Sequence, residues 1–509
     1  MTAPVTLINP EATAERVGRR AWVALAILML PVLLVSVDNT VLNFALPAIS
    51  EALTPSGTSL LWMIDIYPLV LAGLLVSMGS LGDRIGRKKL LLVGSAGFGI
   101  VSVIAAFAPS IELLIAARAA LGFFGAMLMP STLSLIRSIF LNREQRRLAI
   151  AIWASGFAAG SALGPVIGGI LLENLWWGSV FLIAVPVLLP LFALAPFLVP
   201  ESRDPNPGKL DVPSILLSLV TMLPIVFGVK HVATEGLDLV AVAAVTLGLA
   251  AGILFVRRQG RLDTPMLDMA LFRQASFSGA VLINLFSVIA LVGGLFFVSQ
   301  HLQLVLGLSP LEAGLALVPG LVVMIISGLV IVPIAARVRP SIVVPSALAF
   351  SAIGYGGIAI TGGDVDVVGI AIAFVALGLG IGAAETVSNE LILASAPPEK
   401  AGAASAVSET AYELGAVLGT AILGSILTAS YRNSVALPGG LTVEQQTAAG
   451  ETLGGAVSVA GDLPAGASTA LLESARMAFD SGVGVTAWIG FALIVSAGLV
   501  AGVALRRVR

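Results

Sequence analysis

Residues 79–89 read GSLGDRIGRKK and lie between two apolar runs, Trp62–Met78 and Leu90–Phe107. Each run is about long enough to cross the hydrocarbon core of a bilayer. A tight polar hairpin between two membrane helices needs three things, and this stretch supplies them. Gly79, Gly82 and Gly86 permit close backbone approach and turn geometry. Asp83 sets a carboxylate at a helix boundary, where it meets free N–H groups or a basic partner. Arg84, Arg87, Lys88 and Lys89 hold the loop on the cytoplasmic side. Taken alone, the basic residues also fit an ordinary positive-inside loop.

The rest of the chain agrees with a membrane setting. Of its 509 residues, 58% are hydrophobic and 11% charged, against roughly 25% charged in soluble domains. The formal charge is -2, and the basic residues form short loop clusters rather than one patch, so a nucleic-acid partner is not expected. The absence of cysteine excludes disulfides and thiolate metal sites, and two histidines, His231 and His301, leave little for zinc. Both read as boundary residues. No G-x-x-x-x-G-K-[ST] occurs, which excludes ATP hydrolysis through a P-loop. No metal site and no enzyme activity are expected.

Arg16, Arg19 and Arg20 precede a first run from Trp22 to about Leu46, too long for a signal peptide and read as an uncleaved helix. Further runs lie at about 111–137, 146–172, 176–199, 211–230, 237–256, 275–302, 310–336, 341–361, 367–393, 401–429 and 482–505, fourteen in all. With the N-terminus inside, cytoplasmic loops carry Arg143, Arg146, Arg147, Arg203, Lys209, Arg257, Arg258, Arg261, Arg337, Arg339 and Lys400. Arg506, Arg507 and Arg509 end the chain on the same side, while outer loops keep Lys230, Arg432 and Arg476. An odd count would scramble this segregation, so both termini are expected in the cytoplasm.

LLLVGSA at Leu90–Ala96 is echoed by SIVVPSA at Ser341–Ala347, each after an arginine-bearing hairpin. Such parallel repeats suit two six-helix bundles. The expected organisation is an N-terminal bundle over 1–200, two additional spans over 201–262, and a C-terminal bundle over 263–509. The additional spans have neutral apolar middles and read as lipid-facing. The polar segment 431–479 reads as an outer loop. Thr442 and Gln445 there suit a capping box, and Ser468–Phe479 has a second helical pattern. A short helical pair over the outer mouth and a disordered loop both fit.

Charged side chains inside spans cost roughly 3 kcal/mol each on insertion scales, which makes them functional candidates. Asp38 lies deep in the first run, within VDNTVLNFALP at Val37–Pro47. Asp65 lies in the second, beside Trp62 and Tyr67, and Arg118 in the fourth, within LIAARAALGFFGA. The twelfth run holds Glu385 and the boundary residue Glu390. The thirteenth holds Glu409 and Glu413, one turn apart, with Tyr412 between them. In the fifth, Gly156, Gly160, Gly164 and Gly168 form a stripe for close packing, with Pro165 and Gly169 beside it.

These stretches resemble a known family. GSLGDRIGRKK is similar to the loop between the second and third helices of the major facilitator superfamily, G-x-L-x-D-R-x-G-R-K. The resemblance implies a cytoplasmic latch between two bundles, built from Gly79, Gly82, Asp83, Arg84, Gly86 and Arg87. Val37–Pro47 resembles the motif L-D-x-T-V-x-N-x-A-L-P of the fourteen-span drug–proton antiporters, with Val37 in place of Leu. That implies a role for Asp38 in coupling or cation binding; a structural pair with another bundle residue is the competing reading. Arg118 stands in a partial match to R-x-x-Q-G-x-G, with Leu121 where Gln is usual. Gly160 to Gly169 resembles the exporter motif G-x-x-x-G-P-x-x-G-G.

The implied fold is an all-α integral membrane protein, two six-helix bundles plus two helices between them. The implied function is proton-coupled export of lipophilic cations: quaternary ammonium compounds, cationic dyes, biguanides and fluoroquinolones. No cofactor beyond the proton gradient, a monomeric state and the bacterial cytoplasmic membrane are also implied. The residues supply an independent reason. Asp38, Asp65, Arg118, Glu385, Glu409 and Glu413 would handle protons and cations, and Trp62, Tyr67 and Tyr412 would line an aromatic cavity that attracts a desolvated cation. A nutrient or osmolyte symporter of the same fold is the alternative, but clusters of Gln and Asn in its helices are not evident in the sequence.

Overall fold

The computed structural model describes residues 17–508 except 204–210, 263–264, 266–268, 363 and 396–400. Arg16, Lys209, Lys400 and Arg509, all used above to set the topology, lie outside the described residues, as do the side chains of Arg143 and Arg147.

The described chain is helical throughout, with no strand among its described residues. The N-terminal half comprises α1 (Arg19–Leu53), α2 (Gly57–Ile85), α3 (Arg87–Ala106), α4 (Ile111–Ile139), α5 (Arg143–Asn174), α6 (Ser179–Leu182) and α7 (Ala184–Leu198). Two further helices follow, α8 (Val212–Glu235) and α9 (Leu239–Gln259). The C-terminal half holds α10 (Ala275–Gln300), α11 (Pro310–Ala335), α12 (Pro340–Ile360), α13 (Val367–Ala394), α14 (Ala401–Gly419) and α15 (Ser425–Ser434). It ends with α16 (Val443–Glu451), α17 (Leu453–Gly461) and α18 (Ala465–Ala504). Short π-helical segments, His301–Val305 and Thr420–Gly424, extend α10 and join α14 to α15.

Thirteen helical stretches among the described residues are long and apolar enough to cross a membrane, counting Ser179–Leu198 and Val407–Ser434 as one each. Besides these, α5 is 32 residues long.

Local chemistry sets the helix ends. Ser56 starts α2 by accepting from Ser59 N–H, and Asp366 starts α13 by accepting from Gly369 N–H at 2.8 Å. Ser309 and Glu312 form a capping box on α11, and Thr442 and Gln445 form the expected one on α16. Between α2 and α3 the chain turns through Gly86 at φ +106°, a conformation that L side chains rarely adopt.

Packing repeats between the halves. α1 packs on α5 as α10 packs on α14; α2 packs on α4 as α11 packs on α13. α3 rests on α4 and α7 as α12 rests on α13 and α18. The echo between Leu90–Ala96 and Ser341–Ala347 thus falls on α3 and α12, which hold corresponding places. Two seams join the halves, α2 against α14 and α5 against α11.

Two expectations need correction. The segment 431–479 is not a separate loop: α15 continues to Ser434, and Ala465 opens α18, a 40-residue helix running into the last span. Ser468–Phe479 is the start of that helix rather than a second capping helix. The pair over the mouth is α16 and α17, held where Tyr431 O–H donates to Ala449 C=O at 2.8 Å. The additional helices also differ from each other. α9 is largely exposed along Val240, Leu247, Leu249 and Ile253, as a lipid-facing helix should be, but α8 docks on α2, α15 and the π segment between α14 and α15.

Candidate functional site

Asp38 and Arg118 meet in the core of the N-terminal half. Arg118 Nη1 donates to Asp38 Oδ2 at 2.5 Å, and Nε donates to Met63 C=O at 3.3 Å. The guanidinium carbon stands 4.5 Å from the centre of the Tyr67 ring. All three side chains are buried. The glycines after Arg118 make the arrangement possible: a Cβ on Gly122 would lie 2.5 Å from Tyr67 C=O, so only glycine lets α4 approach α2 there.

The C-terminal half brings its acids to this cluster. Glu413 on α14 is buried and within electrostatic reach of Tyr67. Glu385 and Glu413 both flank Tyr412. Among the described residues, Glu385 Oε1 and Glu413 Oε2 have no hydrogen-bond partner. Glu409 lies in the electrostatic field of the exposed Arg137, at the far end of α4. Glu390 is exposed, as expected of a boundary charge. A network of electrostatic contacts thus runs from Asp38 and Arg118 through Tyr67 to Glu413, and from Glu413 to Glu409 and, past Tyr412, to Glu385.

Asp65 and Trp62 are not part of it. Lys230 of α8 reaches Asp65 Oδ2 at 2.8 Å, and its Nζ stands 4.4 Å from the Trp62 ring centre. Both charged side chains are fully buried. Lys230 was expected in an outer loop; instead it lies within α8, past that helix's neutral middle, and pins the helix to α2. The signal was present in the sequence, since Lys230 follows eighteen residues of α8 that carry no charge.

A second group escaped the sequence reading. Asn284 on α10 donates to Asn389 on α13 at 2.7 Å, and Ser408 on α14 donates to the same oxygen at 2.5 Å. The expectation that the helices lack an Asn cluster is thus corrected: the three residues are far apart in sequence and only the fold assembles them.

The GSLGDRIGRKK hairpin is tied to its own half. Asp83 Oδ1 accepts from Arg87 Nη2 at 2.8 Å and Nε at 3.0 Å, and Arg87 Nη1 donates to Ser202 Oγ at 3.2 Å. Glu201 accepts from the backbone N–H groups of Lys88 and Lys89, an acid at the N-terminus of α3 where the helix dipole favours one.

The glycine stripe has two faces. Gly156, Gly160, Gly164 and Gly168 pack on α1 around Met29, Ser36, Thr40 and Val41, the turns flanking Asp38. Pro165 and Gly169 face the other way, onto α11 in the C-terminal half. A Cβ on Gly169 would lie 2.4 Å from Leu311 Cα, and one on Gly314 would lie 2.6 Å from Pro165 C=O. One motif therefore positions Asp38 and seals a seam between the halves.

The seams close at the end that carries α16 and α17. Gly57 N–H donates to Glu451 at 3.3 Å, Leu61 abuts Gly424, and Ser50 abuts Gly454. The Gly79–Lys89 hairpin lies at the opposite end.

Residues 28–420 match the Major Facilitator Superfamily. The chain is 59% identical over 502 residues to the multidrug efflux pump LfrA of Mycolicibacterium smegmatis, covering 99% of this chain and all of the relative. It is 38% identical over 462 residues to the methyl viologen resistance protein SmvA of Salmonella typhimurium, covering 90% of this chain and 93% of that one. It is 32% identical over 494 residues to the tetracenomycin C resistance and export protein of Streptomyces glaucescens, covering 95% and 91%. Among solved structures, an inward-facing, unoccupied bacterial homolog of the human lysosomal transporter Spinster superposes with a TM-score of 0.63 at 17% identity, over 97% of this chain and 100% of that one, which supports the fold alone. With the repeated bundle packing, these matches show that the chain belongs to the major facilitator superfamily, among its drug-efflux transporters and not among enzymes.

Proposed function

We propose that this transporter is a proton-coupled antiporter that exports lipophilic cations. The carrying observation is the juxtaposition of the buried Asp38–Arg118 pair with Glu413 of the opposite half through Tyr67. A buried carboxyl without a partner is costly in its charged form, so it takes up either a proton or a cation. Two such ligands competing for Glu413, Glu385 and Glu409 exchange drug for proton. Asp38, held by Arg118, couples that choice to the N-terminal half. A proton moving down roughly 100 mV supplies about 2.3 kcal/mol, to which the pH difference adds.

The proposal places the hairpin end in the cytoplasm, with fourteen spans and both termini inside, in a bacterial cytoplasmic membrane. The closed seams beside α16 and α17 then face outward, and the acids are reached from the cytoplasm. The chain works as a monomer with no cofactor. Quaternary ammonium compounds, cationic dyes and biguanides have the right chemistry: positive charge on an apolar frame.

The deciding experiment is ethidium efflux from proteoliposomes under an imposed pH gradient. Efflux that follows the gradient and stops when it is collapsed is expected. Efflux indifferent to the gradient would remove the antiport claim. The Asn284–Asn389–Ser408 cluster favours a second reading, symport of a small polar solute. Accumulation of such a solute in the direction of proton flow would select it.

A further inference from the structure

We infer that Lys230 is a specificity-determining residue: its ammonium is a tethered cation that fills a carboxylate-and-indole cation site and denies it to a second positive charge on the substrate. The inference rests on the cation-export reading and extends it to the substrate's charge.

The site has the composition of a cation receptor. Asp65 provides a fully buried carboxylate and Trp62 an aromatic face. The two lie on the same helix, α2, three residues apart, so one cation touches both. That cation is Lys230 Nζ, 2.8 Å from Asp65 Oδ2 and 4.4 Å from the indole centre. A quaternary ammonium or a pyridinium would be drawn to the same carboxylate and ring by its charge, without N–H donation.

The site also lies within reach of the pathway. Asp65 and Tyr67 are two residues apart on α2 and so project from different faces, the Tyr67 face carrying Arg118 and neighbouring Glu413. Its surroundings span the seam: Leu69 of α2, Val226 of α8, and Val417 and Ala421 of the C-terminal half form one buried apolar cluster beside Trp62. A dication that reaches along this seam from Glu413 would have Asp65 as its second carboxylate if Lys230 did not neutralise it.

A purely mechanical role, clipping α8 to α2, predicts something different. Losing the clip would disturb every substrate alike, whereas losing a tethered cation changes the balance between substrate charges. Replacing both members of a buried pair costs far less than removing one, so the double variant serves as the folded reference.

The test measures binding of ethidium, a monocation, and methyl viologen, a dication, to the purified full chain, and efflux of both from proteoliposomes. Lys230→Met is expected to raise the dication-to-monocation affinity ratio by about tenfold, a modest value for one close charge pair. The gain should vanish in Asp65→Asn/Lys230→Met, and Lys230→Arg should behave as the parent. An equal fall for both ligands in Lys230→Met, or no change in the ratio, would overturn the inference and leave only the clip. If Lys230→Met is not recovered folded, the double variant decides. Parental affinity for both ligands there agrees with a silenced Asp65, and a selective loss of dication binding overturns it. Binding that follows these expectations without gradient-driven efflux would refute the antiport proposal and leave the Lys230 inference standing. A parent chain that binds neither cation would refute both.

Discussion

Arg118 of α4 donates to Asp38 of α1 at 2.5 Å with both side chains buried, so neither charge on the N-terminal side of the pathway stands alone. The pair unites the two readings open for Asp38, because a structural partner and a coupling role coincide in one contact. Removing the Asp38 charge also leaves the guanidinium without that counter-ion, held by Met63 C=O and the Tyr67 ring.

Asp38→Asn should therefore abolish export of every cation and also lower stability, by about 3–5 kcal/mol if the buried arginine finds no substitute. Asp38→Asn/Arg118→Gln removes both charges and should recover most of the stability but none of the transport. Melting of the purified protein and ethidium efflux, measured on both variants, check this. Export by the double variant would deny Asp38 a coupling role.

The glycines of α5 should differ sharply in tolerance. A Cβ on Gly156 meets the flexible tip of Met29, which can swing aside, so Gly156→Ala should be mild. A Cβ on Gly164 would lie 1.9 Å from Thr40 Oγ1 and 3.2 Å from the Val41 backbone, and one on Gly169 would strike the α11 backbone. Gly164→Ala and Gly169→Ala should each cut efflux at least about tenfold, an effect of about 1.4 kcal/mol or more on the transport barrier. Only Gly169→Ala should loosen the seam between the halves, read as labelling of a cysteine introduced at Leu311. Equal tolerance of all three would contradict the two-faced motif.

Asp83 pairs with Arg87 inside its own half, at 2.8 Å, and the hydrogen bonds described for the hairpin also stay within that half. We propose that the latch forms in the opposite, outward-facing state of the transport cycle. Asp83→Asn should slow turnover and raise cysteine accessibility at the hairpin end without changing substrate preference. A shift in preference would place Asp83 in the binding path instead.

A pH prediction follows from the pair that ties the start of α8 to the end of α9. Hydrogen bonds from Arg258 hold the Asp211 carboxyl below its ordinary value. A depressed folded value means the contribution is fully present above the unfolded aspartate value of about 3.9 and is lost as pH falls through the folded one. The melting difference between the parent and Asp211→Asn should be constant from neutral pH to mild acid and shrink only below that range. A difference that shrinks near neutrality would contradict the pairing.

The spans and the main motifs were legible because membrane helices advertise themselves by run length and motifs by fixed spacing. Long-range partners were not. The Asp38–Arg118 contact joins residues eighty positions apart, and no local pattern specifies it. Lys230 was misplaced for a different reason: counting basic residues in loops treats a lysine near a helix end as topology, yet this one turns inward to a carboxylate. The second face of the α5 motif was hidden because a glycine spacing defines a stripe but not the two partners beside it.

Glu409 and Glu413 bear the most informative prediction. They lie one turn apart on α14 but have different surroundings. Glu409 lies in the electrostatic field of Arg137, whereas Glu413 is buried near Tyr67 with Oε2 unpartnered among the described residues. A cation that reaches Glu413 supplies the missing counter-charge, and a dication satisfies Glu409 as well, in competition with Arg137. Glu413→Gln should therefore weaken both classes of drug. Glu409→Gln should weaken dications such as bis-biguanides by about tenfold while sparing ethidium, in line with the loss of one close charge contact. Removing the acid also changes the field at Arg137, so Glu409→Gln/Arg137→Gln separates field from contact: if the loss persists there, the carboxylate itself meets the drug. Resistance and binding measured for both drug classes in all three variants decide the matter. Equal losses for both classes in Glu409→Gln, or none for either, would remove substrate-charge discrimination from this helix and leave Glu409 with the field of Arg137 alone.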